Sequence, residues 1–227
     1  GAAASVDGVV YVTGGNQSDG GRALYALDLK SRVWTRLPDY PAPNRVQPVL
    51  LAAGGKLYLA GGFSYDSSTR TCTIPADMVP YDVATRQWGN PVPFPVAPDG
   101  GRYAISGGSG AVVGNCLLLT GGVDYKIFKE AMEGRAPADY MKKPIEWYRF
   151  NNEVLVYNTT RGDWSVSPSV EGLNRAGGVL LLDDSLLIMV CGEVKPGVRS
   201  SQIGAFEWRD TDGATSVVPA GKVYSSE

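Results

Sequence analysis

The chain of 227 residues contains no histidine. That absence removes Ser–His–Asp and Cys–His nucleophilic systems, imidazole proton shuttles and His-ligated metal sites together. Cysteine is scarce too: Cys72, Cys116 and Cys191 are the only three, none in CxxC spacing. No metal site is expected, and the cysteines leave the redox compartment open. Cys116 and Cys191 fall in apolar strand-like runs, where a thiol is expected to be a small buried hydrophobe. Basic charge is also missing. A net charge of −2 and a pI near 5.3 provide no field for nucleic-acid binding. The longest apolar stretch, 176–192, is broken by Asp183 and Asp184 and falls short of the roughly 18–20 apolar residues of a membrane helix, so no membrane span is expected. The chain opens without Met, as a processed terminus or a fragment edge would.

What is present points to a β protein. Hydrophobic residues make up 44% and charged residues 19%, enough apolar content for a real core. Gly (29), Pro (15), Tyr (12) and Trp (5) favour many short strands joined by turns. Four segments read as an apolar strand entering a small-residue turn: VVYVTGG (9–15), KLYLAGG (56–62), CLLLTGG (116–122) and LLIMVCG (186–192). The first three end in paired glycines, which admit positive φ and close backbone approach; the fourth has Cys191 in place of the first glycine. Hairpin-like units follow the first three, each with polar turn-formers between aromatics: Tyr25…Trp34, Tyr81…Trp88 and Tyr157…Trp164. A third signal, Asn44-Arg45, Gly101-Arg102 or Asn174-Arg175, precedes the next strand.

Steps of 47, 60 and 70 residues separate Gly14, Gly61, Gly121 and Cys191. A period near 50 with this order of signals matches a kelch repeat, in which each module is a four-stranded blade packed around a central channel. A β-sandwich with glycine-rich turns is the competing architecture, but it does not require three features to recur in one order. The expected fold is therefore an all-β, kelch-type β-propeller in a single domain, with approximate modules 1–48, 49–108, 109–180 and 181–227. About four blades are present of an expected six. Two steps are long because of insertions at 64–76 and 123–150, the latter with helix-friendly residues. Such an insertion either walls a binding site or is a surface excursion.

The densest chemical signal is CGEVKPGVRS (191–200). Pro196-Gly197 predicts a type II turn that folds the segment back and brings Glu193 toward Arg199, with Lys195 beside them. From spacing alone two readings stand. One is a surface ion pair worth about 0–1 kcal/mol. The other is a site for an anionic ligand, with the guanidinium holding a carboxylate and Glu193 moving a proton.

GEVKPGVRS resembles the signature segment of the N-acetylneuraminate epimerases, or sialic acid mutarotases, a kelch family of bacterial periplasmic proteins. GGVDYKIF (121–128) and EWYRFNNEVLVYN (146–158) also resemble that family's third-module turn and the return strand of its insertion. The resemblance runs in order from the VVYVTGG strand to Arg199, and the family's last two blades have no counterpart. It implies interconversion of the α and β anomers of N-acetylneuraminate with no cofactor, in a periplasmic or secreted setting, with a small-molecule sialic acid as partner. It further implies Glu193 as proton acceptor and Arg199 as the group holding the sugar carboxylate. Lys195 and Asp124 are further candidates for substrate binding. The insertion is shorter than the family's, and Asp124 stands where an Asn is expected. Arg45, Arg102 and Arg175 read as equivalent positions in successive modules, either lining the channel or capping blade turns. A non-catalytic propeller that binds a glycan or protein partner is the alternative function.

Overall fold

A computed structural model describes residues 1–16, 20–211 and 214–220. Four antiparallel sheets follow one another along the chain, each a meander in sequence order. The first holds β1 (Ala2–Val6), β2 (Val9–Thr13), β3 (Leu24–Asp28) and β4 (Trp34–Leu37). The second is built on β5 (Val49–Ala53) and β6 (Lys56–Ala60). A small hairpin, β7 (Ser64–Asp66) with β8 (Thr71–Thr73), then interrupts it before β9 (Asp77–Asp82), β10 (Gln87–Trp88) and β11 (Val92–Pro93). The third contains β12 (Tyr103–Val113) and β13 (Cys116–Asp124). The 123–150 insertion follows, carrying helix α1 (Tyr125–Met132) and two 3-10 turns, and then come β14 (Val154–Asn158) and β15 (Asp163–Ser167). The fourth sheet pairs β16 (Val179–Asp183), β17 (Leu186–Val190), β20 (Ile203–Thr211) and β21 (Ala214–Pro219). A two-stranded hairpin, β18 (Glu193–Lys195) with β19 (Val198–Arg199), projects between its second and third strands.

Local chemistry sets the hairpins. Asp7-Gly8 takes φ of 48° and 78°, and Gly54-Gly55 takes 57° and 72°, the primed-turn geometry that matches strand twist. In the later hairpins an Asx side chain closes the turn. Asp28 Oδ1 accepts from the amides of Lys30 and Ser31, Asp82 Oδ1 from Thr85, and Asn158 Oδ1 from Thr160 and Arg161. The expected aromatic pairing holds for Tyr81 opposite Trp88 and Tyr157 opposite Trp164. In the first sheet, however, Leu27 faces Trp34, and Tyr25 lies two residues out of register. Leu27 therefore occupies the position that tyrosine holds in the next two modules.

The first strands of successive sheets, β1, β5, β12 and β16, run side by side, so the sheets stack face to face around them. Cores fill the spaces between neighbours. Leu50, Leu57, Leu59 and Tyr81 face the first sheet, while Val49, Leu51, Tyr58 and Met78 meet Ile105, Leu117, Leu119 and Leu155 of the third. Leu118, Val154 and Val156 meet Leu180, Leu187 and Met189 of the fourth. With both faces covered, the inner strands read as unbroken apolar runs instead of alternating ones.

Backbone hydrogen bonds tie each module to the next. The second glycine of each pair donates to the segment that leads into or opens the next sheet: Gly15 to the Arg45 carbonyl (2.7 Å), Gly62 to Ile105 (2.9 Å) and Gly122 to Arg175 (2.8 Å). The first glycine lies so close that a β-carbon on Gly61 or Gly121 would stand 2.3 or 2.4 Å from those same Ile105 and Arg175 carbonyls. These bonds correct the expected equivalence of the three arginines. Ile105, and not Arg102, occupies the place of Arg45 and Arg175, because the residue opposite the one before the first glycine is Val49, Ser109 or Val179, four residues after Arg45 and Arg175 but seven after Arg102.

Cys191 also departs from expectation. It is exposed, whereas Cys72 and Cys116 are buried. It follows β17 at a φ of 56°, in the place of the first glycine, and among the described residues no following module covers it.

Candidate active site

The hairpin β18–β19 forms as Pro196-Gly197 requires, with Gly197 at a φ of 74°. Glu193 and Arg199 are register partners, and Arg199 Nη2 lies 3.2 Å from Glu193 Oε1. The pair is unequal: the guanidinium is 77% exposed and the carboxylate 26%. Glu193 is held by its backbone, which exchanges two hydrogen bonds with Ala176 (3.0 and 2.7 Å) at the entry to the fourth sheet. The residue that follows the paired glycines is Asn16, Phe63 and Val123 in the other modules. Glu193 is therefore the single carboxylate at this position, placed by a repeat geometry that three other modules fill with neutral side chains.

Glu193 and Arg199 open onto a cleft of about 500 Å³ together with Asp124, Gln47, Pro196 and the insertion. From α1 come Ile127, Phe128, Ala131 and Met132, and Tyr140, Tyr148 and Phe150 complete the wall. The 123–150 segment thus walls a cavity, the first of its two expected roles. Polar contacts fasten both ends of its helix. Asp124 caps α1, with Oδ1 accepting from the Ile127 amide at 2.8 Å, while Oδ2 pairs with Arg149 at 2.8 Å. At the other end of α1, Glu133 accepts from Lys129 (2.5 Å), from Arg135 and from the Cys72 amide (3.0 Å). The Lys129 ammonium, followed by the Arg135 guanidinium and the Cys72 amide, pulls the Glu133 carboxyl down to about 2. Tyr140, Trp147 and Tyr148 pack edge to face, and the Tyr148 hydroxyl donates to the Tyr140 carbonyl. Burial pushes both phenols up.

The other residues singled out in the sequence are dispersed. Lys195 does not line the cleft; its ammonium donates to the Lys143 carbonyl (2.8 Å) and lies 6.0 Å from the Tyr148 ring centroid, fastening hairpin to insertion. Arg45 is a buried strut. It donates to Tyr40 Oη (2.6 Å) and the Gly61 carbonyl (3.0 Å) and pairs with Asp77 (2.5 Å). Arg175 is buried as well, donating to Gln202 Oε1 (2.7 Å), and desolvation pulls its pKa down. Arg102 is exposed, 5.7 Å from the Tyr125 ring centroid in a neighbouring hollow. Sequence reasoning missed Gln47, Tyr140 and Tyr148 as cleft residues. The signal available for the tyrosines was the aromatic density of the insertion.

A family model for N-acetylneuraminate epimerase matches residues 1–217. Similar proteins include the N-acetylneuraminate epimerases of Salmonella typhi, 29% identical over 92% of this chain and 55% of the relative, and of Yersinia enterocolitica, 29% identical over 89% and 54%. The chain spans about half the length of these relatives. The fold is similar to the solved structure of YjhT, with a TM-score of 0.76 and 24% identity over 91% of this chain and 61% of that one.

Proposed function

The chain belongs to the N-acetylneuraminate epimerase family, and from that premise we propose that it interconverts the α and β anomers of N-acetylneuraminate on a kelch-type β-propeller, of which the four sheets are four blades. The observation that carries the proposal is the Glu193–Arg199 pair at 3.2 Å on the wall of a cleft large enough for a monosaccharide. The anomeric carbon of this sugar bears a carboxylate. Arg199, mostly exposed and held by one ion pair, is free to turn its second edge to that group in a two-pronged hydrogen bond. This places the adjacent anomeric hydroxyl beside Glu193.

The reaction is a proton shuffle. Glu193 takes the proton of the anomeric hydroxyl as the bond from the anomeric carbon to the ring oxygen breaks. The electrons of the O–H bond form the ketone, and the ring oxygen takes a proton from a solvent water, whose hydroxide recovers the proton that Glu193 holds. Rotation exposes the other face of the ketone, and the reverse transfers close the ring with inverted configuration. The residues supply positioning and one carboxylate, which suits a reaction that already proceeds in water. Tyr140, Tyr148 and Phe128 supply apolar wall, so the sugar ring is gripped at its charged end. The setting that goes with this reading is periplasmic or secreted, as the family resemblance implies.

NMR of freshly released α-N-acetylneuraminate tests the reading. The wild type should shorten the approach to anomeric equilibrium, and Glu193→Gln should abolish most of that gain while sugar binding persists. Equal rates for the two proteins would refute a catalytic role. A second reading, sialic acid binding without turnover, is favoured by the ion pair that engages the Glu193 carboxylate with Arg199. It would be identified by calorimetric binding that survives Glu193→Gln but not Arg199→Ala, with no acceleration by the wild type.

A further inference from the structure

Three corresponding backbone positions lie just ahead of β5 and β16 and at the register break inside β12, and hydrogen bonds link them in series. The Gly107 amide donates to the Gln47 carbonyl (3.0 Å) and the Gly177 amide to the Gly107 carbonyl (2.6 Å). All three have left-handed backbones, with φ of 52°, 68° and 65° for Gln47, Gly107 and Gly177. Two modules use glycine, which adopts this conformation freely; the third has a residue whose β-carbon is strained there. The left-handed non-glycine residues at 7, 32, 70, 86 and 184 fall in hairpin turns, where such backbones are routine, while Arg149 closes a 3-10 turn of the insertion and Cys191 takes a glycine's place after β17. Gln47 is not in such a turn.

The strained side chain faces the cleft. Gln47 is exposed and lines the same cavity as Glu193 and Arg199. Its Oε1 lies 3.4 Å from the point where a β-carbon on Gly107 would stand, and the Ala176 methyl lies 3.5 Å from that point. Ala176 in turn holds the Glu193 backbone. The missing side chain of Gly107 thus leaves room in which the Gln47 carboxamide reaches toward the carboxylate's neighbourhood. Among the described residues no hydrogen bond engages this carboxamide. Asp124, by contrast, has both oxygens committed to the α1 cap and to Arg149.

We infer that Gln47 is a substrate-positioning residue, its carboxamide both donating to and accepting from the neutral hydroxyl or amide groups of the sugar while Arg199 holds the carboxylate. The inference rests on the anomer-exchange reading of the same cleft. It accounts for a strained glutamine where the repeat otherwise uses glycine: the backbone strain is retained because the side chain has a ligand to hold.

The test uses the whole chain, α-N-acetylneuraminate, and the variants Gln47→Gly and Gln47→Asn. Gln47→Gly should raise the Tm, because the strain is relieved, and lower kcat/KM by about tenfold, the weight of one ligand hydrogen bond, chiefly through KM. Gln47→Asn tolerates the left-handed backbone and keeps a shorter carboxamide, so it should recover part of that loss. A Gln47→Gly variant with kcat/KM within twofold of wild type would overturn the inference, as would a fall in Tm, which would mark the side chain as structural. Failure of the wild type to accelerate anomer exchange would show itself separately, before any variant is compared, and would remove the reading on which the inference stands.

Discussion

Replacing Arg45 by Met isolates what holds the first two sheets together. The guanidinium is almost wholly buried and engages Tyr40 Oη at 2.6 and 3.2 Å, the Gly61 carbonyl at 3.0 Å and Asp77 Oδ1 at 2.5 Å. Met keeps most of the apolar stem but donates nothing. The Gly61 carbonyl and the buried Tyr40 hydroxyl lose their partner, at about 1–3 kcal/mol for each group left unsatisfied. Asp77 is 27% exposed, so water recovers part of its loss. Breaking a buried pair from one side costs about 3–5 kcal/mol, and the exposure of Asp77 puts the expectation near 3. For a chain of this size that is a fall in Tm of roughly 6–12 °C. Thermal and urea unfolding followed by tryptophan fluorescence reads it directly, since Trp88 packs 5.3 Å from Tyr40. Adding Asp77→Leu to Arg45→Met should restore part of the loss, because the stranded charge is then gone. An Arg45→Met protein within about 0.5 kcal/mol of wild type would refute the reasoning, since no buried acceptor would then depend on the guanidinium.

Two further outcomes are expected. Gly121→Ala, whose β-carbon would meet the Arg175 carbonyl at 2.4 Å, should destabilise far more than Gly114→Ala, which has open space around it; equilibrium unfolding should put the latter near 1 kcal/mol. Because Glu133 has its carboxyl held down to about 2, its contribution is fully present above the unfolded value of 4.5 and is lost as pH falls from 4.5 toward 2. Protection of the α1 amides from hydrogen exchange, taken relative to the intrinsic rate at each pH, should fall through that window, and Glu133→Gln should remove the pH step.

How far the site was legible in the sequence depends on how local each determinant is. Glu193 and Arg199, six residues apart, were readable as partners because the Pro-Gly turn between them dictates their meeting, whatever surrounds it. The arginines were not. Asn44-Arg45 and Asn174-Arg175 look like Gly101-Arg102, but β12 starts at Tyr103 and its register breaks between Ala104 and Gly108, which shifts the true counterpart to Ile105. Nothing near Arg102 reveals the shift, because it is set by the glycine amide of the preceding module. Lys195 looked like a ligand because it sits in the turn; its ammonium instead closes a contact with Lys143, 52 residues earlier.

By itself the sequence determined the strands, their hairpins and the four-module order. Side-chain period, paired glycines and Asx turns act over a few residues and need no partner from elsewhere in the chain. Only the tertiary structure decided that Gln47, Asp124, Glu193 and an aromatic insertion share one cleft, and which cations stay free to bind. Those facts depend on how successive sheets dock. Docking is fixed by packed apolar faces and by backbone bonds such as Gly107 to Gln47, whose ends lie 60 residues apart. The hairpin has its chemistry from its own residues and its cavity from its neighbours.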